Sequence, residues 1–226
     1  MEHRKKGPGS GSRPLSAPTG SGRRSPGSAR QGIRVEDSVN EPGFGDPLSA
    51  AIEPDPLLAR HAALFTRDAI PGPVLDLACG DGHNGLFLAA RGLPVVLIDR
   101  SEEALARARR LARRAGVQAV FQAVDLEAGR EDPLSPNAYG AVLVFRYLHR
   151  PLFPRIREAL RRGGLLVYET FTTDQPRFGR PQNPDFLLQP GELLGWFEDW
   201  EILHTFEGVL DGPPRAVARL VCRKPG

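Results

Sequence analysis

A doubly wound α/β sheet is the architecture that three features of this 226-residue sequence predict. Residues 74–85 read VLDLACGDGHNG, in which apolar residues lead through Asp76 into a glycine-rich turn at Gly80 and Gly82. The helical pattern Leu86-Phe87-Leu88-Ala89-Ala90 follows at once. Such a strand, tight turn and helix N-terminus form the nucleotide-sized pocket of an open α/β sheet. Further short apolar runs, too short for helices and suited to strands buried on both faces, alternate with helical patterns. Finally, Trp200–Val209 and Arg215–Arg223 alternate in polarity like the two strands of a terminal hairpin.

The elements follow in order. Residues 1–45 form a Gly/Pro/Ser-rich tail whose first 30 positions hold six Gly, four Pro and six Ser. So little apolar surface cannot offset the entropy of ordering the segment, and the tail is expected to be disordered. The domain then occupies residues 46–226. Asp55 is placed to cap a first helix with Pro56 at its first position, and Leu57, Leu58, Ala62, Leu64 and Phe65 form its apolar stripe. The first strand ends in the glycine turn, and Leu93 to Ile98 makes a second strand ending in Asp99. Ser101 caps a helix with Glu102 and Glu103 in its first turn and five arginines beyond, an order that suits the helix dipole. A third strand, 119–124, runs into Asp125 and Leu126. A fourth covers 141–145, a helix runs from about Leu152 to Arg161 and stops at Gly163-Gly164, and a fifth strand covers 165–170. Residues 174–190 form a long Gly/Pro-containing loop of the kind that often covers a site, and another helix begins at 190–194.

The glycine turn also fits the dinucleotide fingerprint as Gly80-x-Gly82-x-x-Gly85. Asp76 inside the strand end and Asp81 between the glycines argue against it, since a carboxylate there repels a pyrophosphate that the helix dipole would otherwise attract. A ligand with a cationic centre, an amino-acid end and no phosphate tolerates both acids, and S-adenosylmethionine is such a ligand. Asp99, at the tip of the second strand, is placed to accept both ribose hydroxyls. Asp125 is placed to accept an adenine amino group, while the Leu126 N–H meets a ring nitrogen.

These residues carry a resemblance. The chain resembles the class I S-adenosylmethionine-dependent methyltransferases over roughly residues 50–226, with their acid-x-Gly-x-Gly-x-Gly run present as Asp76-x-Ala78-x-Gly80-x-Gly82. Ala78 replaces the first glycine and is expected to narrow the methionine end slightly. The resemblance implies a Rossmann-like, seven-stranded, mainly parallel sheet closed by an antiparallel C-terminal hairpin. It also implies a cofactor site built from Asp76, Ala78, Gly80, Gly82, Asp99, Arg100, Asp125 and Leu126. Within the superfamily, CGDGHNGLFLAARG and FLLQPGELLGWFEDWEILHTFEG are similar to the tellurite-resistance, TehB-type group. The segment Arg146-Tyr147-Leu148-His149-Arg150-Pro151 departs from that group's pattern.

Methyl transfer from a sulfonium is a direct substitution, so the protein chiefly aligns the reactants and excludes water. His149 is the candidate general base for an acceptor that carries a proton, and Tyr147 and Arg146 lie beside it after the fourth strand. Arg177 and Arg180 in the long loop suit a carboxylate or oxyanion acceptor, because a guanidinium fork matches planar oxygens. Glu169 either contacts the substrate or closes a salt bridge with one of these two arginines. A small anionic metabolite or a metalloid oxyanion is the expected acceptor. The alternatives are an RNA or protein methyltransferase working through the basic tail, and a non-catalytic cofactor-binding module.

Charge and composition narrow the choice. Residues 1–35 carry a net charge of +7 and the remainder −4, so the folded part is mildly acidic and a nucleic-acid-binding catalytic face is not expected. No apolar run is long enough to span a membrane. Two lone cysteines, Cys79 and Cys222, imply reduced thiols in a cytoplasmic setting. Neither sits at zinc-like spacing from a histidine cluster, so no metal site is expected.

Overall fold

The computed structural model describes residues 52–128 and 134–226; the tail expected at residues 1–45 lies outside them. Seven strands form one sheet in the order β3-β2-β1-β4-β5-β7-β6. They are β1 (Val74–Leu77), β2 (Val95–Asp99), β3 (Val120–Ala123), β4 (Tyr139–Phe145), β5 (Leu160–Phe171), β6 (Glu201–Leu210) and β7 (Arg215–Arg223). The first five run parallel, and β7 lies antiparallel to both β5 and β6. Strand order reverses between β1 and β4, which creates a crevice beyond their C-terminal ends.

Alternate side chains build a core on each face. On one face Leu75, Val142, Leu166, Tyr168 and Leu220 meet Phe153 and Ile156 of α4 (Leu152–Ala159), together with Phe197 and Trp200 beyond α5 (Glu192–Gly195). On the other, Val74, Leu97, Leu143, Val167 and Val221 meet three helices: α1 (Pro56–Arg60), α2 (His83–Ala90) and α3 (Glu102–Arg114). Leu57 and Leu58 come from α1, Leu86 and Leu88 from α2, and Ala112 from α3. Both layers are needed because the central strands are buried on both sides. Among the described residues, no helix is long and apolar enough to cross a membrane.

The caps form as expected. Asp55 accepts from the Leu57 N–H at 2.9 Å with Pro56 opening α1, and Ser101 Oγ accepts from the Ala104 N–H at 3.1 Å. Some boundaries differ from the sequence reading. The first helix ends at Arg60 and continues as a 3₁₀ turn, Ala62–Leu64, because His61 leaves helical geometry and its ring lies 5.1 Å from that of His204 on β6. Strand β3 is a four-residue edge with mostly exposed side chains, and buried Val124 follows it. Helix α4 stops at Ala159, two residues early, and β5 begins five residues early. Fully buried Leu160 turns extended and pairs with Tyr139. Gly163 and Gly164 therefore lie within β5, not at a helix stop. A backbone bond from the Gly163 N–H to the Lys224 carbonyl, and one from the Lys224 N–H to that of Gly164, hold them.

Residues 174–190 are a pinned wall more than a free loop. Gln175, buried, donates to the Arg180 carbonyl at 3.0 Å and accepts from the Ala216 N–H at 2.8 Å. Arg150 holds the far end through Glu192 at 2.7 Å and the carbonyls of Asp185 and Leu187 at 3.1 and 2.9 Å.

Candidate functional site

A cavity of about 780 Å³ opens at the reversal point of strand order, within the size range of small-molecule sites. Its floor is Ala78 after β1. The tips of β2 and β3 contribute Asp99, Arg100, Asp125, Leu126 and Glu127. From β4 come Phe145, Arg146 and Tyr147, from β5 Phe171, and from the long wall Arg180 to Asn183 with Phe186.

The floor is made of unusual backbone. Ala78 and Arg146 both have left-handed conformations, with φ of 55° and 56°, at the ends of the adjacent strands β1 and β4. A side chain at such angles costs roughly 1–2 kcal/mol, and strain of this sort collects at functional sites. Gly80 and Gly82 turn the chain with φ of 53° and 77°; a Cβ on Gly82 would stand 2.6 Å from Leu97. Neither glycine lines the cavity. They shape the turn that brings β1 into α2.

Asp99 joins this turn to β2. One carboxylate oxygen accepts from the Gly80 N–H and the other from the Ser101 N–H, both at 2.8 Å, which fixes the group at the cavity wall. Each oxygen keeps a second lone-pair direction for a ligand hydroxyl. Asp125 is exposed to the cavity, and its Oδ1 accepts from the Glu127 N–H at 3.0 Å. Across from it the Tyr147 hydroxyl donates to Glu127 at 3.4 Å, linking the β3 and β4 ends. Burial, reinforced by Glu127, pushes the Tyr147 phenol well above its ordinary range, so it acts as a donor and not as a base.

Asp76 has a different place from the other two acids. It is 2 % exposed, is absent from the cavity wall and accepts from the Gly85 N–H at 2.8 Å. A Cβ on Gly85 would come within 2.9 Å of that carboxylate, so this glycine lets α2 approach the sheet. Two acids thus face the ligand space, while the third ties the helix to the strand. Asp81 also points away from the cavity, to Arg107 at 2.8 Å, so its charge is answered from α3.

Burial pushes the Asp76 carboxyl up to about 7, with Asp99 adding to the rise and the Gly85 N–H opposing it. An acid with a raised folded pKa binds more protons folded than unfolded. Its contribution to stability is therefore greatest below about pH 4 and is lost as pH climbs to about 7. Asp76→Asn retains an oxygen for Gly85 and has no proton to lose. Urea midpoints at about pH 5 and about pH 8 should differ less in the variant, with the variant gaining relative to the parent at the higher pH. An unchanged pH difference would remove Asp76 as its source.

The expected acceptor-side residues separate. Arg146, Tyr147 and Arg180 line the cavity, whereas His149 and Arg177 do not. His149 lies in the turn before α4, its carbonyl accepting from the Leu152 N–H, and Arg177 is exposed beside Asp174 at 3.7 Å. Glu169 pairs with neither loop arginine. It is fully buried at the β5 end, 2.6 Å from Arg219 Nε and 3.8 Å from Arg215, both on β7. Burial raises its pKa and nearby Asp55 raises it further, while the two arginines oppose the rise. Burial also raises the thiols, Cys222 up to about 12 and Cys79 further, so both remain protonated and unreactive.

Several residues in or beside the site were not singled out from sequence for it. Glu127 follows Asp125 by two residues and was legible as a second acid in the same turn. Phe186 belongs to an Asn183-Pro184-Asp185 turn signal whose Asn183 side chain accepts from the Asp185 N–H at 3.1 Å. Asp55 was read only as a cap; its second oxygen also receives Arg146 at 3.2 Å, and its N–H donates to Asn84 at 2.7 Å. These contacts tie the start of α1 to the cavity rim.

Residues 74–164 match a family of methyltransferase domains. Hemagglutinin 1 of Eikenella corrodens is 31% identical over 159 residues, covering 66% of this chain and 51% of that protein. The probable S-adenosyl-L-methionine-dependent methyltransferase TehB of Haemophilus influenzae is 28% identical over 145 residues, 62% of this chain and 49% of its own length. The TehB crystal structure superposes with a TM-score of 0.60 at 23% identity, over 74% of this chain and 61% of that one. The tRNA 5-carboxymethoxyuridine methyltransferase of Escherichia coli is 26% identical over 156 residues, 58% of this chain and 60% of its own. The chain spans about half the length of the first two of these relatives.

Proposed function

We propose that this chain, by fold and domain a class I S-adenosylmethionine-dependent methyltransferase resembling the TehB group, transfers a methyl group from that cofactor to a small anionic acceptor. The observation that carries the reading is the division of charge in the cavity. The β2 and β3 tips present Asp99, Asp125 and Glu127 against one cation, Arg100, while the β4–β5 side and the wall present Arg146 and Arg180. A cofactor with ribose hydroxyls, an adenine amino group and a sulfonium fits the acidic side, and an anionic acceptor fits the basic one.

In the residue roles that follow, Asp99 accepts the ribose hydroxyls, with Arg100 beside it, and Asp125 and Leu126 meet the adenine. Ala78 borders the methionine end, and Asp76, Gly80 and Gly82 hold the turn in shape. Bound S-adenosylmethionine supplies the methyl group and its own leaving group. The chain's residues orient the acceptor through Arg146 and Arg180, and Tyr147 donates a hydrogen bond at the boundary between the two halves. His149, outside the cavity, takes no part as a base in this reading. The whole operates as a cytoplasmic protein, with residues 46–226 as its domain.

Thermal unfolding with S-adenosylhomocysteine beside NADH tests this. At about 100-fold excess over Kd, S-adenosylhomocysteine should add about 2.7 kcal/mol and NADH nothing. Stabilisation by NADH alone would restore the dinucleotide reading. A second reading, transfer to RNA, is favoured by the tRNA-modifying relative and by the +7 charge of residues 1–35. It requires salt-sensitive RNA binding that disappears when those residues are removed.

A further inference from the structure

The acceptor half of the cavity carries an apolar surface that an inorganic anion would not need. Phe186 is 47% exposed, one of few large apolar side chains so exposed among the described residues, and it lies on the cavity wall. Its exposure is not that of a loose loop. The 3₁₀ turn Pro184–Phe186 is capped by Asn183, and Arg150 grips the carbonyls on either side of Phe186, those of Asp185 and Leu187. Phe171, at the end of β5, and Phe145, at the end of β4, supply two further rings to the same half. Arg180 and Arg146 line the same cavity as these rings. One donor of Arg146 is committed to Asp55, and the rest of its guanidinium is free to bind.

A bare oxyanion gains its binding from the guanidinium groups, and phenyl walls only strip its water without return. A flat ring carrying a carboxylate uses both: ring against ring, and carboxylate against the arginine fork. From the anchored, exposed Phe186 and from Arg180 in the lining of the same cavity we infer that the acceptor is a planar aromatic carboxylate. This rests on the proposed methyl-transfer reading and names its substrate class.

Calorimetric titration of the full chain saturated with S-adenosylhomocysteine tests it, using benzoate, cyclohexanecarboxylate and selenite as probes. Benzoate should bind more tightly than the other two. Phe186→Ala should weaken benzoate by about tenfold, the equivalent of about 1.4 kcal/mol, and leave S-adenosylhomocysteine affinity where it was. Arg180→Gln should weaken benzoate as well. Binding of selenite without benzoate, equal binding of cyclohexanecarboxylate, or indifference of benzoate to Phe186→Ala would overturn the inference. So would a loss of S-adenosylhomocysteine affinity in Phe186→Ala, which would assign the ring to the cofactor. Failure of S-adenosylhomocysteine to bind the parent protein would instead overturn the methyl-transfer reading beneath it.

Discussion

Alanine at position 99 is expected to abolish stabilisation by S-adenosylhomocysteine, a change of about 2.7 kcal/mol at about 100-fold excess over the parent Kd. Asp99 is the acid that both faces the cavity and fixes the glycine turn, through the Gly80 and Ser101 amides. In the proposed reading its removal takes away the ribose acceptors, and it loosens the glycine turn that Asp99 holds through the Gly80 N–H. The unliganded protein should lose about 1–2 kcal/mol as well, because two amides lose their acceptor but sit close enough to the cavity for water to replace it. Asp99→Asn keeps one acceptor and turns an NH₂ group on the other amide, so it should retain part of the turn and little of the ligand affinity. Calorimetric titration and thermal unfolding read the two losses separately. A Kd unchanged in Asp99→Ala would remove this residue from the binding site.

Glu169→Leu should be costly in a different way, lowering stability by about 3–5 kcal/mol as measured by urea unfolding. The carboxylate is fully buried between Arg219 and Arg215, whose side chains are themselves only 15% and 22% exposed. Removing it leaves two like charges on β7 with their counter-charge gone. The cost belongs to stranding the arginines more than to the worth of the ion pair, since burying three ionised groups is itself expensive. Converting Arg215 and Arg219 to methionine together with Glu169→Leu should therefore recover much of the loss. Glu169→Gln should cost less than Glu169→Leu, because it keeps an acceptor for Arg219 Nε. A loss below about 1 kcal/mol in Glu169→Leu would show that the network contributes no more than an exposed pair.

What could be read from the sequence follows the reach of each interaction along the chain. The caps at Asp55 and Ser101 and the local bonds of the glycine turn, from the Gly82 N–H to Cys79 and from the Leu86 N–H to Gly82, were legible because those partners lie two to four residues away. Asp99 and Asp125 were legible as strand-tip acids because a parallel strand delivers its last residue to one edge of the sheet. Asp76 had the same pattern, but it lies inside its strand and its partner is the first turn of α2. The helix boundary at 159 was misplaced because Leu160 is held by strand pairing across the sheet, which local propensity does not record. The partners of Glu169 lie 46 and 50 positions downstream, in a strand whose register only the fold defines. His149 and Arg177 satisfied the residue-type criterion for catalysis. Only the folded backbone reveals that they stand outside the cavity that Tyr147 and Arg180 line.

The placement of β7 between β5 and β6 bears on how the molecule is assembled. Residues 165–171 complete their hydrogen bonding only when residues 217–223 arrive, although the strand-tip turns at 78–82, 99–101 and 125–127 precede both. A polypeptide interrupted before residue 215 would carry the cavity-lining strand tips beside an open, apolar ladder edge. Such an edge recruits a neighbouring copy as readily as its own missing strand. Truncation products should therefore precipitate through this seam, and a synthetic peptide spanning 215–223, added in trans, should keep them in solution.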